Sequence, residues 1–335
     1  MNRTYFNMNA FNSSLLLNAS FVRPEYFFIS GFSGIPFSQY YFVFLIFIYV
    51  VSLCGNSFVL FMILVDHSLH IPKYMGIFNL ALSDFGETNA LIPSLVKTFF
   101  YDSQYISYDA CLTNMFLTFF FFSGQSLSLV ALAYDRFIAI CLPLRYHAIV
   151  STSFMFATLI AIWIFNVIVI GTMVVLITRL SFCKTNEIKS FFCDHGPIYT
   201  IACNDNSINS FMAKLCTAIY LYAPFIAIVL SYLGILLTLI KVTTWKSRLK
   251  ALKTCVSHLL VVAIFFLPVL STYLAALNFS LHPNARIINT SLSRTIPPML
   301  NPIIYVLNTK DFRGLIIKMF KKKTTMISNV HALAK

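Results

Sequence analysis

The chain alternates between long apolar runs and short polar stretches. Seven runs, at about 41–65, 74–98, 110–141, 154–178, 209–240, 251–277 and 286–307, each hold on the order of 20 residues or more with few charges. At about 1.5 Å of rise per residue, a helix needs that length to cross roughly 30 Å of hydrocarbon. The pattern predicts an all-α membrane protein, a bundle of seven transmembrane helices. No internal repeat is visible, and connections are short apart from about 30 residues between spans four and five. Beyond the last run, Phe312, Leu315, Ile316, Met319 and Phe320 recur at helical spacing with basic residues opposite. This predicts a short amphipathic cytoplasmic helix lying on membrane lipid of the inner leaflet. The chain divides accordingly into an extracellular tail at 1–40, a seven-helix domain at 41–307 and a cytoplasmic tail at 308–335.

Composition agrees, since 59% hydrophobic and only 10% charged residues exceed what a soluble domain uses. A net charge of +13 could suit nucleic acid, but its distribution excludes that reading. Segments after spans one, three, five and seven carry fifteen Lys or Arg against three acids, and the opposite side carries eight against six. The basic side is the cytoplasm, so the N-terminus is expected outside a multi-pass protein of the plasma membrane. Glycosylation sequons at Asn2, Asn12 and Asn18, with Asn278 near the outer end of span six, fit that orientation. No basic region followed by a short apolar one opens the chain, so span one is expected to serve as an uncleaved anchor.

Cys54, Cys141, Cys216 and Cys255 lie in or beside spans and read as small buried apolar residues. Cys111, Cys183, Cys193 and Cys203 fall on the outer, oxidising side, where pairing is expected in one of three connectivities.

Charges inside spans are costly and mark function. Asp84 and Glu87, three residues apart in span two, share one helical face. Arg294 in span seven has no acid on its own helix, and we expect a Glu87 to Arg294 pair across the bundle. A carboxylate ligand would compete with Glu87 for Arg294, whereas a cationic ligand would recruit Glu87. Asp135 and Arg136 close span three, a pairing that reads as a switch. Pro302 breaks the ladder of span seven and Asn301 beside it is expected to satisfy freed polar groups, which makes a hinge. An apolar pocket with few polar anchors is expected from Thr118, Phe119, Phe122 and Ser123 in span three, Thr217 and Tyr220 in five, Phe266 and Tyr273 in six, and Arg294 and Thr295 in seven. No nucleophile, base and orienting acid assemble, and no metal-ligand spacing or cofactor motif appears, so the chain does not read as an enzyme.

The stretch from Ala133 to Tyr146, which holds Asp135, Arg136, Cys141 and Pro143, resembles the end of the third span in rhodopsin-like (class A) G-protein-coupled receptors, and its longer form resembles the vertebrate odorant (olfactory) receptors. Gly55-Asn56, the stretches 69–74 and 80–84, Ser231-Tyr232, the stretch 250–258 and the stretch 298–305 carry the same resemblance in the same order, in the fish-like class I form. The resemblance implies disulfides Cys111–Cys193 and Cys183–Cys203, a small-molecule odorant and coupling to a stimulatory olfactory-type heterotrimeric G protein through cyclic AMP. It also implies a switch in which Arg136, held by Asp135 at rest, moves toward Tyr232 and Tyr305, with His258, Asn301 and Pro302 in the same machinery. Asp84 would be a sodium ligand, but the partner acid expected in span three is Gln125 here. The main rival is a non-odorant receptor of class A. An amine receptor should have an acid where this chain has Thr118, and an opsin a lysine near Thr295. A transporter or ligand-gated channel would show inverted repeats or discontinuous helices.

Overall fold

A computed structural model describes residues 22–32, 38–100, 103–242, 244–278, 283–308, 311–315 and 317. Its helices are α1 (Ser38–Val65), α2 (Pro72–Phe100), α3 (Tyr108–Cys141), α4 (Tyr146–Ile149), α5 (Thr152–Val175), α6 (His195–Thr200), α7 (Ser207–Thr217), α8 (Ala223–Lys241), α9 (Trp245–Asn278) and α10 (Pro283–Asn308). The seven spans are α1, α2, α3, α5, α7 running through a π turn into α8, α9 and α10. Five of these are long and apolar enough to cross a membrane on composition alone. The other two, α2 and α10, carry Asp84, Glu87, Pro93, Arg294 and three prolines. Their polar residues turn inward, where Asp84, Glu87 and Asn301 are buried.

The helices close into one bundle: α2 packs on α1 and α3, α3 on α5 and α8, and α10 on α9 and α1. Ile160, Ile164 and Ile168 on α5 and Leu230, Leu233 and Leu237 on α8 face outward. An apolar exterior suits lipid, where the backbone must satisfy its own hydrogen bonds.

Prolines interrupt those bonds, and the bundle repairs them from neighbouring helices. Pro302 cannot donate to the carbonyl of Pro298, which accepts instead from Asn56 Nδ2 of α1 at 2.8 Å. Gly55 makes this approach possible, because a Cβ there would lie 2.8 Å from Cγ of Pro302. Asn301, expected to take this role, donates to Asp84 Oδ2 at 2.9 Å. In span five, Pro224 leaves the carbonyl of Tyr220 free, and Ser126 Oγ of α3 donates to it at 2.7 Å.

The outer loops are not a loose fringe. Strand β1 (Tyr26–Ile29) pairs antiparallel with β2 (Tyr105–Ser107), setting Phe27 opposite Ile106, and parallel with β3 (Glu187–Ile188). Part of the expected tail therefore belongs to a small sheet over the bundle. Gly31 lies so close to Ser190 that a Cβ would meet its carbonyl oxygen at 2.4 Å. Disulfides join Cys111 to Cys193 and Cys183 to Cys203.

After α10, residues 311–315 are helical. Phe312 is fully buried edge-on to Tyr74, whose hydroxyl donates to Asp311. It thus docks on α2, not on lipid as its place in the amphipathic pattern suggested; a ring beside Tyr74 is a better partner than a shallow interface. Ile316, Met319, Phe320, Asn2, Asn12 and Asn18 lie outside the described residues, as does the side chain of Asn278.

Candidate functional site

A cavity of about 590 Å³ opens in the outer half of the bundle between α3, α5, span five, α9 and α10. That falls in the roughly 300–1,000 Å³ range of small-molecule sites. On α3 its wall is Phe119, Phe122 and Ser123, neighbours on one helical face. Span five bulges through the π turn Ala218–Tyr222, and Tyr220 and Leu221 from it reach the cavity. Such single wide turns recur at functional sites. The roof is the loop before α6: the Cys111–Cys193 bridge ties it to the start of α3, bringing Phe191, Phe192, Asp194 and His195 over the opening. A second space of about 560 Å³, lined by Thr185, Glu187, Lys189, Tyr199 and Arg286, shares Lys189, Tyr199 and Arg286 with the first and continues it outward.

Of the residues expected at a pocket, Phe119, Phe122, Ser123, Thr217, Tyr220 and Arg294 line this cavity. Thr118 is buried off that face of α3. Phe266 sits one turn further inward than the lining residue Val269 and packs on Phe225 and Phe265 beneath the floor. Thr295 is rotated one residue away from Arg294, and its hydroxyl donates to the carbonyl of Ser291. The side chain of Tyr273 lies outside the described residues. Sequence reasoning missed Lys189, Asp194, His195, Lys214 and Arg286, all on the wall. One signal could have found three of them: any loop bridged to the outer end of span three must lay the neighbours of Cys193 over the bundle.

Charge on the floor is held tightly. Arg294 Nη1 donates to Glu87 Oε1 at 2.7 Å, and Gln125 Nε2 donates to Glu87 Oε2 at 2.6 Å, so each carboxylate oxygen has one donor. The guanidinium carbon lies 4.5 Å from the ring centre of Phe122 and 5.0 Å from those of Phe119 and Phe192. Such rings attract a desolvated cation. In the roof, burial pushes the Asp194 carboxyl up from its ordinary value, and the nearby Arg294 and Arg286 charges oppose that. Burial lowers the His195 imidazole to about 4, so it is neutral at pH 7.

The inner end of the bundle has a different construction. Asp135 lies 3.8 Å from Arg136 and accepts a hydrogen bond from Tyr146 at 2.7 Å, which holds the carboxylate from a second side. Tyr232 is 2.8 Å from His258 Nδ1, with the rings stacked, while His258 Nε2 lies 3.1 Å from the carbonyl of Leu129. A carbonyl only accepts, so Nε2 carries the proton and Nδ1 accepts from the Tyr232 hydroxyl. Tyr232 is thus engaged with α9 and not with Arg136. The hydroxyl of Tyr305 is buried with no hydrogen-bond partner.

Between the two ends, Asp84 Oδ1 and Asn301 Oδ1 are buried and unpartnered. The sodium site implied by the resemblance needs a second acid, but Gln125 turns its amide N–H to Glu87. Among the described residues no group of three or more His, Cys, Asp or Glu gathers for a metal. The donor set does not fit the two-acid site.

A family model described as Olfactory receptor matches residues 45–323. Among similar curated proteins, Olfactory receptor 1N1 of Homo sapiens is 35% identical over 304 residues, covering 90% of this chain and 97% of that protein. Olfactory receptor 1M1 of Homo sapiens is 34% identical over 280 residues, 84% of this chain and 89% of that protein. Olfactory receptor 51F2 of Homo sapiens is 32% identical over 325 residues, 96% and 95% of the two.

Proposed function

Because this chain belongs to the olfactory receptor family and is therefore an odorant receptor of the G-protein-coupled class, not an enzyme, we propose that the outer cavity receives the odorant and that binding there opens the inner end. The observation that carries this is the cavity itself, a space of about 590 Å³ walled by Phe119, Phe122 and Tyr220 with few polar anchors, at the opposite end of α3 from Asp135 and Arg136. One helix touches both ends. A ligand that binds the open form better than the closed form shifts the equilibrium by that difference.

In this reading the partner is a stimulatory olfactory-type heterotrimeric G protein, and the output is cyclic AMP. The switch runs through the release of Arg136 from Asp135 and of Tyr232 from His258, with Asn301, Pro302 and Tyr305 as the hinge on α10. The receptor lies in the plasma membrane with its N-terminus outside. Its tail at 1–40 is glycosylated at Asn2, Asn12 or Asn18, with Asn278 as a further acceptor, and the segment 308–335 is cytoplasmic and touches lipid. The fish-like class I subtype belongs to the same proposal.

Cells expressing the full chain, with tags at residues 1 and 335, test it. The first tag should be reached on intact cells and the second only after permeabilisation, and an active odorant should raise cyclic AMP. Both tags on one side, or an odorant response carried only by an inhibitory G protein, would contradict the reading.

A further inference from the structure

The cavity is apolar in its walls but not neutral at its mouth. Lys189 in the roof, Lys214 on α7 and Arg286 near the start of α10 all line it, and all three are exposed. Arg294 adds a fourth cation at the floor, where Glu87 neutralises it at 2.7 Å. The only acid on this wall among the described residues is Asp194, half-buried and within the influence of the Arg294 and Arg286 charges. Setting Glu87, Asp194 and Glu187, which lines the outward continuation, against the four cations still leaves an excess of one positive charge. None of Lys189, Lys214 and Arg286 has a carboxylate within 4.0 Å among the described residues. Lys189 and Arg286 also line the outward continuation of the cavity, so a ligand meets them on entry.

A mouth with a net positive charge, here three cations against Glu187 and Asp194, over a low-dielectric interior focuses the field and concentrates ligands of the opposite sign. Lysine and arginine there are donors without acceptors, and a carboxylate is acceptor-only when ionised. Below them, Phe119, Phe122 and Phe192 offer ring surface for an apolar body. Glu87 already neutralises Arg294 at the floor, whereas the three cations at the mouth have no carboxylate within 4.0 Å among the described residues.

Resting on the reading that the odorant enters this cavity, we propose that its ligand class is an amphiphilic organic anion, with a carboxylate or like-charged head held at the mouth by Lys189, Lys214 and Arg286 and an apolar body against the three phenylalanines. A cation would meet the mouth repelled, and a neutral molecule would leave the spare donors to water.

The test uses the full receptor in cells with a cyclic AMP readout and counted surface copies. The probes are two matched sets: naphthylacetate, its methyl ester and naphthylethylamine; and decanoate, its methyl ester and decylamine. The acid of a set should be the most potent member by about tenfold or more, and replacing bath salt with sucrose should widen that advantage. The double change Lys214→Gln with Arg286→Gln should weaken the acid about threefold to tenfold and leave the ester unmoved, while Lys214→Arg with Arg286→Lys keeps the acid response. An ester or amine that outperforms its acid overturns the proposal, as does an acid whose potency ignores the loss of both cations. Silence toward both acids in a receptor present at the surface overturns it too. Phe122→Ala, which alters the wall but no charge, separates this failure from that of the cavity reading. If it shifts the response to an ester or amine, the cavity is the site and only the charge class is wrong; an agonist indifferent to it removes the cavity itself.

Discussion

The outer and inner halves of the bundle differ in where they leave charged groups without a partner. From the middle of the bundle to its inner end, side chains are paired across helices, Asn56 to the freed carbonyl of Pro298, Asn301 to Asp84 and Tyr232 to His258, while the Tyr305 hydroxyl is buried without a partner. In the outer half, the Glu87, Arg294 and Gln125 set and the pairs Tyr49 to Asn89 and Asn289 to Thr272 are closed in the same way, but Lys189, Lys214 and Arg286 are left exposed around an empty volume. A matched network specifies one arrangement, and its alternatives are other matched networks, which suits a switch. Unmatched donors around a cavity are incomplete until something else completes them, which suits a binding site.

The sharpest way to break this comparison is at the buried ion pair of the outer half. Glu87→Ala leaves a buried guanidinium without its acid and should cost about 3–5 kcal/mol, visible as loss of surface receptor. The double variant Glu87→Gln with Arg294→Met should restore surface level. If the single variant is delivered normally, the pair is not what closes the floor.

The roof offers a pH test of similar size. His195 is neutral when folded, with its value near 4, against about 6.5 when unfolded. Between those values the unfolded chain binds more protons, so stability is fully present above about pH 6.5 and lost as pH falls toward 4, by on the order of 3 kcal/mol. Asp194, pushed up by burial, acts in the other direction, so the comparison must be with His195→Gln and not with pH alone. The melting temperature of the purified receptor should fall over that range and fall less in His195→Gln. Parallel curves would mean that protonating His195 does not load the fold.

A smaller effect sharpens the account of the inner half. Asn56→Leu strands the carbonyl of Pro298 in the core and should cost about 1–3 kcal/mol, read as a lower melting temperature of the purified receptor. Wild-type melting in that variant would mean that water or another helix serves the proline break equally well.

These contrasts also explain what the amino-acid sequence reveals by itself. Spans were legible because lipid demands about 20 apolar residues in a row, and the helix limits fall within a few residues of those expected for α1, α3 and α5. Even α2 and α10 were visible, although their charges and prolines leave them short of that apolar criterion. A pair between Glu87 and Arg294 could be anticipated because neither charge had another affordable partner in the membrane. Loop-borne residues were not legible, because the position of Lys189, Asp194 and His195 depends on a bridge and a three-stranded sheet made from distant segments. The partner of a broken ladder was equally hidden: proximity in sequence favoured Asn301, while the fold placed Asn56 across a glycine contact.

The central claim is that the outer cavity sets which ligand is bound and the inner end sets whether binding is heard. Concentration–response curves for one active odorant, recorded as cyclic AMP at matched surface levels, test it most directly in Phe122→Ala and Arg136→Gln side by side. Phe122→Ala removes a ring over Arg294 and from the wall, and should move the midpoint to higher concentration by about tenfold while keeping the maximum. Arg136→Gln should abolish the maximum at every concentration. If the two variants change the curve in the same way, the two ends do not have separate roles and the account is contradicted.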